Sequence, residues 1–181
     1  MLEKLEFITP TLLKVFELFL ADPMQEYHER EVMRRTHTST GSANKMLRLL
    51  AEHDFLTKER KGRMVFYRLN AKNPAVKQFK IFTNVYALKE LLDTLKEHCR
   101  RIVLFGSSAQ GTDVKGSDFD LLILTSEKDR TRKKISEFNR RSKRKVAPIV
   151  VDANGFVKLK RDDKPLYENI ESGIILWQTA E

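Results

Sequence analysis

The chain has 181 residues, 41% of them hydrophobic, and its 34 Lys and Arg against 25 Asp and Glu give a formal net charge of +9. This hydrophobic share excludes a disordered chain, and the length suits one medium domain or two small ones. Cys99 is the only cysteine, which excludes an internal disulfide framework and favours a reducing, cytoplasmic compartment. No apolar run approaches the roughly 20 residues of a membrane span, and we see no secretory signal, so we expect no membrane partner.

The first 70 residues predict three helices followed by a hairpin. Threonine caps helices and proline is tolerated at the first helical position, so Thr9-Pro10 predicts a helix start. A basic Lys61-Gly62-Arg63 turn between two strand-like runs is typical of a hairpin. The expected elements are helices from Thr9-Pro10 to Asp22-Pro23, over residues 27–36 and after Ser39 or Thr40, and strands over residues 55–60 and 64–69.

Three helices and a basic hairpin are the pattern of a winged helix-turn-helix, and residues 8–70 resemble arsenic-repressor-type winged helices. The third helix would offer polar side chains to a major groove of double-stranded DNA, and the hairpin would place cations near phosphates. The candidate DNA-binding residues are Ser39, Thr40, Ser42, Asn44, Lys45, Arg48, Lys61 and Arg63. The alternative is a winged helix that binds protein, which the basic hairpin disfavours.

Apolar residues recur every three or four positions from Ala75 to about Glu97, which predicts one long helix. Its apolar stripe includes Val76, Phe79 and Phe82, and Asn73-Pro74 before it predicts a domain boundary. Two roles stay open for this helix, a rigid connector or the seam of a homodimer. The predicted division is a DNA-binding domain at residues 1–73, this helix at 74–97 and a second domain at 98–181.

Beyond residue 98 the pattern changes to apolar strands separated by helices, which indicates an α/β sheet. Pro148 within one of the strands suggests an edge position or an irregularity in that strand. Strands are expected over residues 101–105, 119–124, 146–151 and 174–177, and helices over 126–144 and 166–171. The predicted fold class is therefore α/β (α+β): a winged helix-turn-helix plus a mixed sheet with flanking helices.

Two carboxylates follow the first of these strands at a defined distance. Gly106-Ser107 ends the strand, Asp118 comes eleven positions after Ser107, and Asp120 follows two residues later at the start of the next strand. Positions i and i+2 of a strand share a face, so the two carboxylates would project together and repel unless a cation lies between them. Oxygen ligands of this kind suit Mg²⁺, and glycine and serine beside them suit a phosphate.

This constellation resembles the DNA polymerase beta nucleotidyltransferase superfamily, and within it the minimal nucleotidyltransferases. The resemblance covers residues 98–177 and rests on Gly106, Ser107, Gly111, Ser117, Asp118, Asp120 and Leu121. It implies transfer of a nucleoside monophosphate from a nucleoside triphosphate to a hydroxyl acceptor, with two Mg²⁺ ions. It also implies Asp118, Asp120 and Asp152 as catalytic and metal-binding residues and Gly106, Ser107 and Ser117 as nucleotide-binding residues. Relatives that act as antitoxins modify a toxin partner, so a toxin-like protein is one candidate acceptor. RNA is the other candidate acceptor.

Three alternatives stay open at this point. Asp152 is placed as the third carboxylate by strand logic, and it could instead belong to a turn before Ala153-Asn154-Gly155. The basic segment 128–145, with ten basic residues against two acidic ones, is either a polyanion-binding surface or a solvated helix face. The whole chain is either an enzyme with a DNA-binding domain, for which an autoregulating antitoxin is one candidate role, or a transcriptional regulator whose second domain only senses nucleotide or mediates assembly.

Overall fold

A computed structural model describes residues 5–179, which form two compact units that divide after Lys77. In the first unit, three helices and three strands follow one another. Their bounds are α1 Pro10–Ala21, β1 Tyr27–His28, α2 Glu29–Thr36, α3 Thr40–Glu52, β2 Leu56–Lys61 and β3 Met64–Leu69. The helix α4, Pro74–Ala87, contains the point of division.

The helix starts of the first unit follow from side-chain caps. Thr9 Oγ1 accepts a hydrogen bond from the Leu12 N–H (3.2 Å), and Ser39 Oγ accepts one from the Ser42 N–H (3.2 Å). Both starts confirm the sequence prediction. The predicted start of the second helix at Tyr27 is wrong, because Tyr27 pairs with Tyr67 of β3 and its buried ring packs edge-on against Phe19.

The predicted hairpin of β2 and β3 is present, but its loop has two residues rather than the expected three, since Lys61 pairs with Met64 across it. Gly62 has a φ of +62°, the sign needed at the first central position of the tight turns that join twisted strands. The three-stranded sheet has the order β1-β3-β2 and is antiparallel throughout.

The second unit has a four-stranded sheet in the order β6-β5-β4-β7, with β5 and β6 parallel and the other pairs antiparallel. This places β6, and with it Pro148, at an edge as predicted. The remaining elements are α5 Lys89–Leu95, β4 Arg101–Phe105, α6 Gly106–Gln110, β5 Phe119–Leu124, α7 Lys128–Arg141, β6 Val146–Val151, α8 Ala153–Asp162, α9 Lys164–Glu171 and β7 Ile174–Gln178. The α/β (α+β) fold class is confirmed; α8 is a helix that the sequence analysis did not predict.

Both faces of this sheet are covered, as its continuous apolar strands indicate. Ile102 and Leu104 of β4 pack in one buried cluster with residues of α5 and α7. Val103 and Phe105 of the same strand face the opposite cluster, which contains residues of α8 and α9. No helix among residues 5–179 combines the length and hydropathy required to cross a membrane.

The predicted long helix over residues 75–97 is two helices, because α4 ends at Ala87 and α5 begins at Lys89. Between them, the Leu88 N–H bonds to the carbonyl oxygen of Val85, three residues back (3.2 Å). The stripe is also corrected: Phe82 is 62% exposed, whereas Lys80 and Asn84 are buried at 4% and 6% exposure. Polar partners inside the second unit draw these two side chains inward.

Candidate functional site

The end of β4 brings Gly106 against Asp120. Phe105 pairs with Asp120 across the antiparallel β4–β5 ladder, so the next residue, Gly106, lies beside the Asp120 carboxylate. Gly106 has a φ of +67°, and a Cβ there would lie 2.6 Å from Asp120 Oδ2. The space that glycine leaves is therefore filled by a carboxylate rather than held open for a phosphate, and Gly106 serves the site by seating Asp120.

Replacing Gly106 by alanine is expected to displace the Asp120 carboxylate and to weaken binding of a Mg²⁺–nucleotide at least tenfold, the scale seen when a metal ligand loses its setting. The positive φ adds a backbone cost of order 1–3 kcal/mol. Calorimetric titration and thermal unfolding measure the two effects. Gly62→Ala is the matched control, because its φ of +62° imposes similar strain and nothing lies within 4 Å of the added methyl group. Equal nucleotide binding by both variants would contradict the role of Gly106.

Asp118 and Asp120 lie two residues apart at the start of β5, as predicted. Burial raises the pKa of Asp120, the negative charge of Asp118 raises it further, and Arg144 opposes the shift. The metal-free protein thus holds a carboxylate whose charge is disfavoured. A divalent cation would remove that cost, and the oxygen donors suit Mg²⁺. We call these two residues the carboxylate pair.

Asp152 does not join the carboxylate pair, which corrects the sequence prediction. Because β5 and β6 are parallel, Asp120 pairs with Ala147, whereas Val151 pairs with Leu124 at the far end of the strand. Asp152 follows Val151, five residues beyond Ala147, which is roughly 16 Å at about 3.3 Å per strand residue. The position on β6 that faces the carboxylate pair holds alanine.

Asp152 instead caps α8. Its Oδ1 accepts a hydrogen bond from the Gly155 N–H (2.7 Å), and its Oδ2 lies 2.6 Å from Lys128 Nζ. The Lys128 contact, followed by the Gly155 N–H, lowers the pKa of Asp152. Across the described part of the chain no group of three or more His, Cys, Asp or Glu side chains is placed to hold a metal. The donors therefore fit one cation at the carboxylate pair and do not fit a second ion held by Asp152.

The two candidate serines have different settings. Ser107 lies in the first turn of α6, directly after Gly106, and is half-buried. Ser117 Oγ accepts a hydrogen bond from the Val114 N–H (3.0 Å) and closes the turn that precedes the carboxylate pair. Ser107 is thus the better placed of the two to donate to a phosphate, and Ser117 shapes the loop.

Arg144 differs from the other cations of the basic segment 128–145, which corrects the sequence interpretation of this residue. Its side chain is only 23% exposed, and its guanidinium bonds to Asp113 and to the backbone carbonyls of Ser117 and Asp118. It therefore belongs to the interior beside the carboxylate pair rather than to a polyanion-binding surface. The sequence signal that could have shown this is the polar pair Lys80 and Asn84, four residues apart within an apolar helix pattern.

The candidate DNA-binding residues of α3 fall into two groups. Lys45 and Arg48 are exposed and line a surface groove of about 480 Å³ together with Thr40 and Asn44. Asn44 Nδ2 donates to Glu29 Oε2 (2.5 Å), so a partner already occupies its amide. Ser39 and Ser42 hydrogen-bond to each other at the helix start, and Thr40 Oγ1 contacts the Met33 sulfur (3.1 Å).

The hairpin cations also differ from one another. Lys61 Nζ lies 2.5 Å from Glu26 Oε2, and Arg68 reaches the other oxygen of that carboxylate at 2.7 Å. The Lys61 hydrogen bond lowers the pKa of Glu26, which keeps this acid ionised. Arg63 is exposed at the hairpin turn. The partner Glu26 could not be predicted from the residues around the hairpin, because it lies 35 residues from Lys61.

In this site a strand followed by Gly106-Ser107 lies beside the carboxylate pair at the start of the neighbouring strand of a mixed sheet. The model of the nucleotidyltransferase domain family matches residues 87–175. This match supports a nucleotidyltransferase domain in that segment of the chain.

No curated protein matches the chain. Several solved structures are similar to it, including the following three. One is a variant of the toxin–antitoxin MntA–HpeT, with 21% identity over 52% of this chain and 73% of that chain and a TM-score of 0.39. Another is a toxin–antitoxin with AMP-PNP, with 25% identity over 53% and 74% and a TM-score of 0.38. The third is the archaeal chromatin protein TrmBL2, with 15% identity over 92% and 71% and a TM-score of 0.33.

Proposed function

We propose that the second unit is a Mg²⁺-dependent nucleotidyltransferase, which moves a nucleoside monophosphate from a nucleoside triphosphate to a hydroxyl acceptor. The observation that supports this most is the carboxylate pair seated against Gly106, where a Cβ would clash with Asp120 Oδ2 at 2.6 Å. A site that keeps glycine to hold a partly desolvated carboxylate beside a second one is suited to a divalent cation.

Each site residue has a distinct role in the proposed reaction. Asp118 and Asp120 would hold Mg²⁺, which when bound supplies positive charge to the triphosphate and to the leaving pyrophosphate. Ser107 donates its hydroxyl proton to a phosphate oxygen and orients the phosphate chain. Asp152 takes no part, because it caps α8 at the other end of β6.

Transfer of label from α-labelled nucleoside triphosphates tests the proposal. The candidate acceptors are a toxin-like protein, tRNA and duplex DNA, each assayed with the wild-type chain and with the Asp118→Ala/Asp120→Ala double variant. Label that enters an acceptor with the wild type alone is the expected result. Equal incorporation by both proteins with every acceptor contradicts the enzyme proposal.

A second candidate function is a DNA-binding regulator whose second unit binds nucleotide without transferring it. The observation that favours it is Ala147, which stands opposite Asp120 where a third carboxylate would be close enough to act on an acceptor hydroxyl. Binding of a Mg²⁺–nucleotide by the carboxylate pair with no labelled acceptor is the result that this candidate predicts.

In both candidates the first unit would bind double-stranded DNA as a winged helix-turn-helix. The exposed cations Lys45 and Arg48 on α3 and Arg63 at the hairpin turn support this proposal. An autoregulating antitoxin would combine this binding with modification of its partner protein, and a homodimer would suit a palindromic site. The rings of Phe82 and Tyr86 on α4 are exposed and stacked, with centroids 6.1 Å apart, which supports α4 as the interface of a homodimer. Sedimentation tests this, because a monomer at micromolar concentration would contradict it.

Replacing Arg63 or Lys45 by alanine is expected to weaken duplex binding and to reduce the slope of log K against log salt by about one per lost phosphate contact. Lys61→Ala serves as the matched control. Because Glu26 already neutralises Lys61, its loss should change the slope less than the loss of Arg63. Fluorescence anisotropy from low to moderate salt measures all three. No duplex affinity at low salt, or a larger effect for Lys61, contradicts the proposed DNA surface.

A further inference from the structure

Arg144 uses every N–H of its guanidinium inside the second unit. Nε donates to the Ser117 carbonyl oxygen (2.7 Å), and Nη2 donates to the Asp118 carbonyl oxygen (3.0 Å) and to Ser108 Oγ. The guanidinium also lies over the Phe119 ring, 4.0 Å from its centroid. The three residues that lead into Asp120 are therefore all in contact with one side chain.

The other side of the guanidinium joins a buried polar cluster. Arg144 Nη1 donates to Asp113 Oδ2 and to Asn84 Oδ1, both at 3.0 Å. Asn84 in turn donates to Asp113 Oδ1 (2.9 Å) and to the Ser108 carbonyl oxygen (3.0 Å), and Lys80 donates to the Asp113 carbonyl oxygen. Lys80, Asn84, Asp113 and Ser108 are 4%, 6%, 6% and 0% exposed. Such a cluster has a single satisfied arrangement and is rigid.

We propose that Arg144 is the positioning residue of the carboxylate pair: it fixes the Ser117–Asp118 backbone on the buried cluster, so that the Asp118 carboxylate is aimed before a cation arrives. The exposed Asp118 side chain takes its direction from its backbone, whose carbonyl oxygen also accepts from Ser108 Oγ (3.1 Å). Prior ordering of ligands lowers the cost of binding. This inference rests on the proposed binding of a Mg²⁺–nucleotide by the same pair.

Lysine cannot replace arginine here. A planar guanidinium reaches two successive carbonyls, a hydroxyl and a carboxylate at once and lies flat on an aromatic ring, whereas an ammonium offers three donors from one point. Arg144→Lys thus keeps the charge and removes the geometry. Arg140→Lys is the matched control. Arg140 is exposed near the end of α7, so this substitution makes the same chemical change outside the cluster.

Two measurements on the full chain test the proposal. The first is hydrogen exchange of the amides of residues 112–118 without metal, at a temperature where each variant is folded. The second is the affinity for Mn²⁺ with a non-hydrolysable nucleoside triphosphate analogue, followed by the paramagnetic signal of Mn²⁺. We expect Arg144→Lys to speed exchange in residues 112–118, with the strand cores unchanged, and to weaken affinity by about tenfold or more, the scale for losing an outer partner of a metal ligand. Arg140→Lys should change neither.

The outcomes separate this inference from the proposed function. If the wild type binds no metal–nucleotide, the proposed function fails and the inference with it. If the wild type binds and Arg144→Lys binds equally tightly, or if the exchange of residues 112–118 is unchanged, the inference alone fails. Should Arg144→Lys not fold, Ser108→Ala decides: loss of its hydroxyl should weaken affinity a few-fold, and unchanged affinity overturns the proposal.

Discussion

Replacing Asp120 by asparagine is expected to abolish binding of a Mg²⁺–nucleotide and, at neutral pH, to raise the melting temperature of the metal-free protein. The two effects have one cause. Burial and the charge of Asp118 raise the pKa of Asp120, so its ionised form costs stability until a cation is bound. Asparagine removes the negative charge, so the variant loses both the stability cost of that charge and the carboxylate that would bind the cation. Titration calorimetry and scanning calorimetry without metal measure the two changes.

The sign of the pH dependence follows from the same shift. A carboxyl whose pKa is raised in the folded state contributes stability that is complete below its unfolded pKa and is lost as pH rises through the folded value. The metal-free wild type should therefore lose stability relative to Asp120→Asn as pH rises above the usual range for aspartate. The affinity for Mg²⁺ should decrease as pH falls, because protons then compete with the cation for Asp120.

Asp152→Asn is the control for these experiments. Asp152 is engaged by Gly155 and Lys128, and its pKa is lowered, so its neutralisation should cost stability rather than add it. Mg²⁺–nucleotide affinity should not change. Loss of affinity in Asp152→Asn, or unchanged affinity in Asp120→Asn, would contradict the assignment of the carboxylate pair.

Replacing Ala147 by aspartate is expected to raise the rate of nucleotidyl transfer, by about 10²–10⁴-fold if the new carboxylate takes a proton from the acceptor hydroxyl. Ala147 pairs with Asp120 in the β5–β6 register, and paired residues of neighbouring strands share a face. A third carboxylate would be added where Asp152 was expected to lie. Transfer of α-labelled nucleotide to the acceptor identified with the wild type, or to each candidate acceptor if the wild type transfers none, measures the gain.

Ala147→Asn separates charge from size. It should give no gain in transfer, whereas both variants disturb the same half-buried position. The aspartate variant should also be less stable than the asparagine variant without metal and recover when Mg²⁺ is added, since three close carboxylates repel. If Ala147→Asp transfers no faster than Ala147→Asn, the reading of position 147 as the missing ligand is wrong.

Local patterns carried the sequence predictions that the structure confirms. The strand starts at residues 101, 119 and 146 follow from apolar runs, and the caps at Thr9 and Ser39 follow from neighbours three residues away. Pro148 marked an edge strand because it has no N–H to donate to a ladder. The DNA-binding residues stay predictions, since no duplex contact tests them.

The errors have a common physical origin in contacts between distant segments. Helical periodicity placed Phe82 inward, but Lys80 and Asn84 reach Asp113, about 30 residues later, and turn the helix accordingly. Glu26 neutralises Lys61 from 35 residues away, which no local charge count shows.

The sequence by itself determined that two carboxylates lie on one strand face behind a glycine, because that arrangement depends only on the strand period and on adjacent residues. The tertiary structure decided how many carboxylates meet. The parallel pairing of β5 with β6 sends Asp152 to the far end and sets Ala147 beside Asp120, and the direction of a strand pair is fixed by the packing of the whole sheet. The tertiary structure also decided that Arg144 contacts the backbone beside the carboxylate pair instead of lying on the surface. Its hydrogen-bond partners Asn84, Ser108, Asp113 and Ser117 come from four separate segments, which meet only in the folded unit.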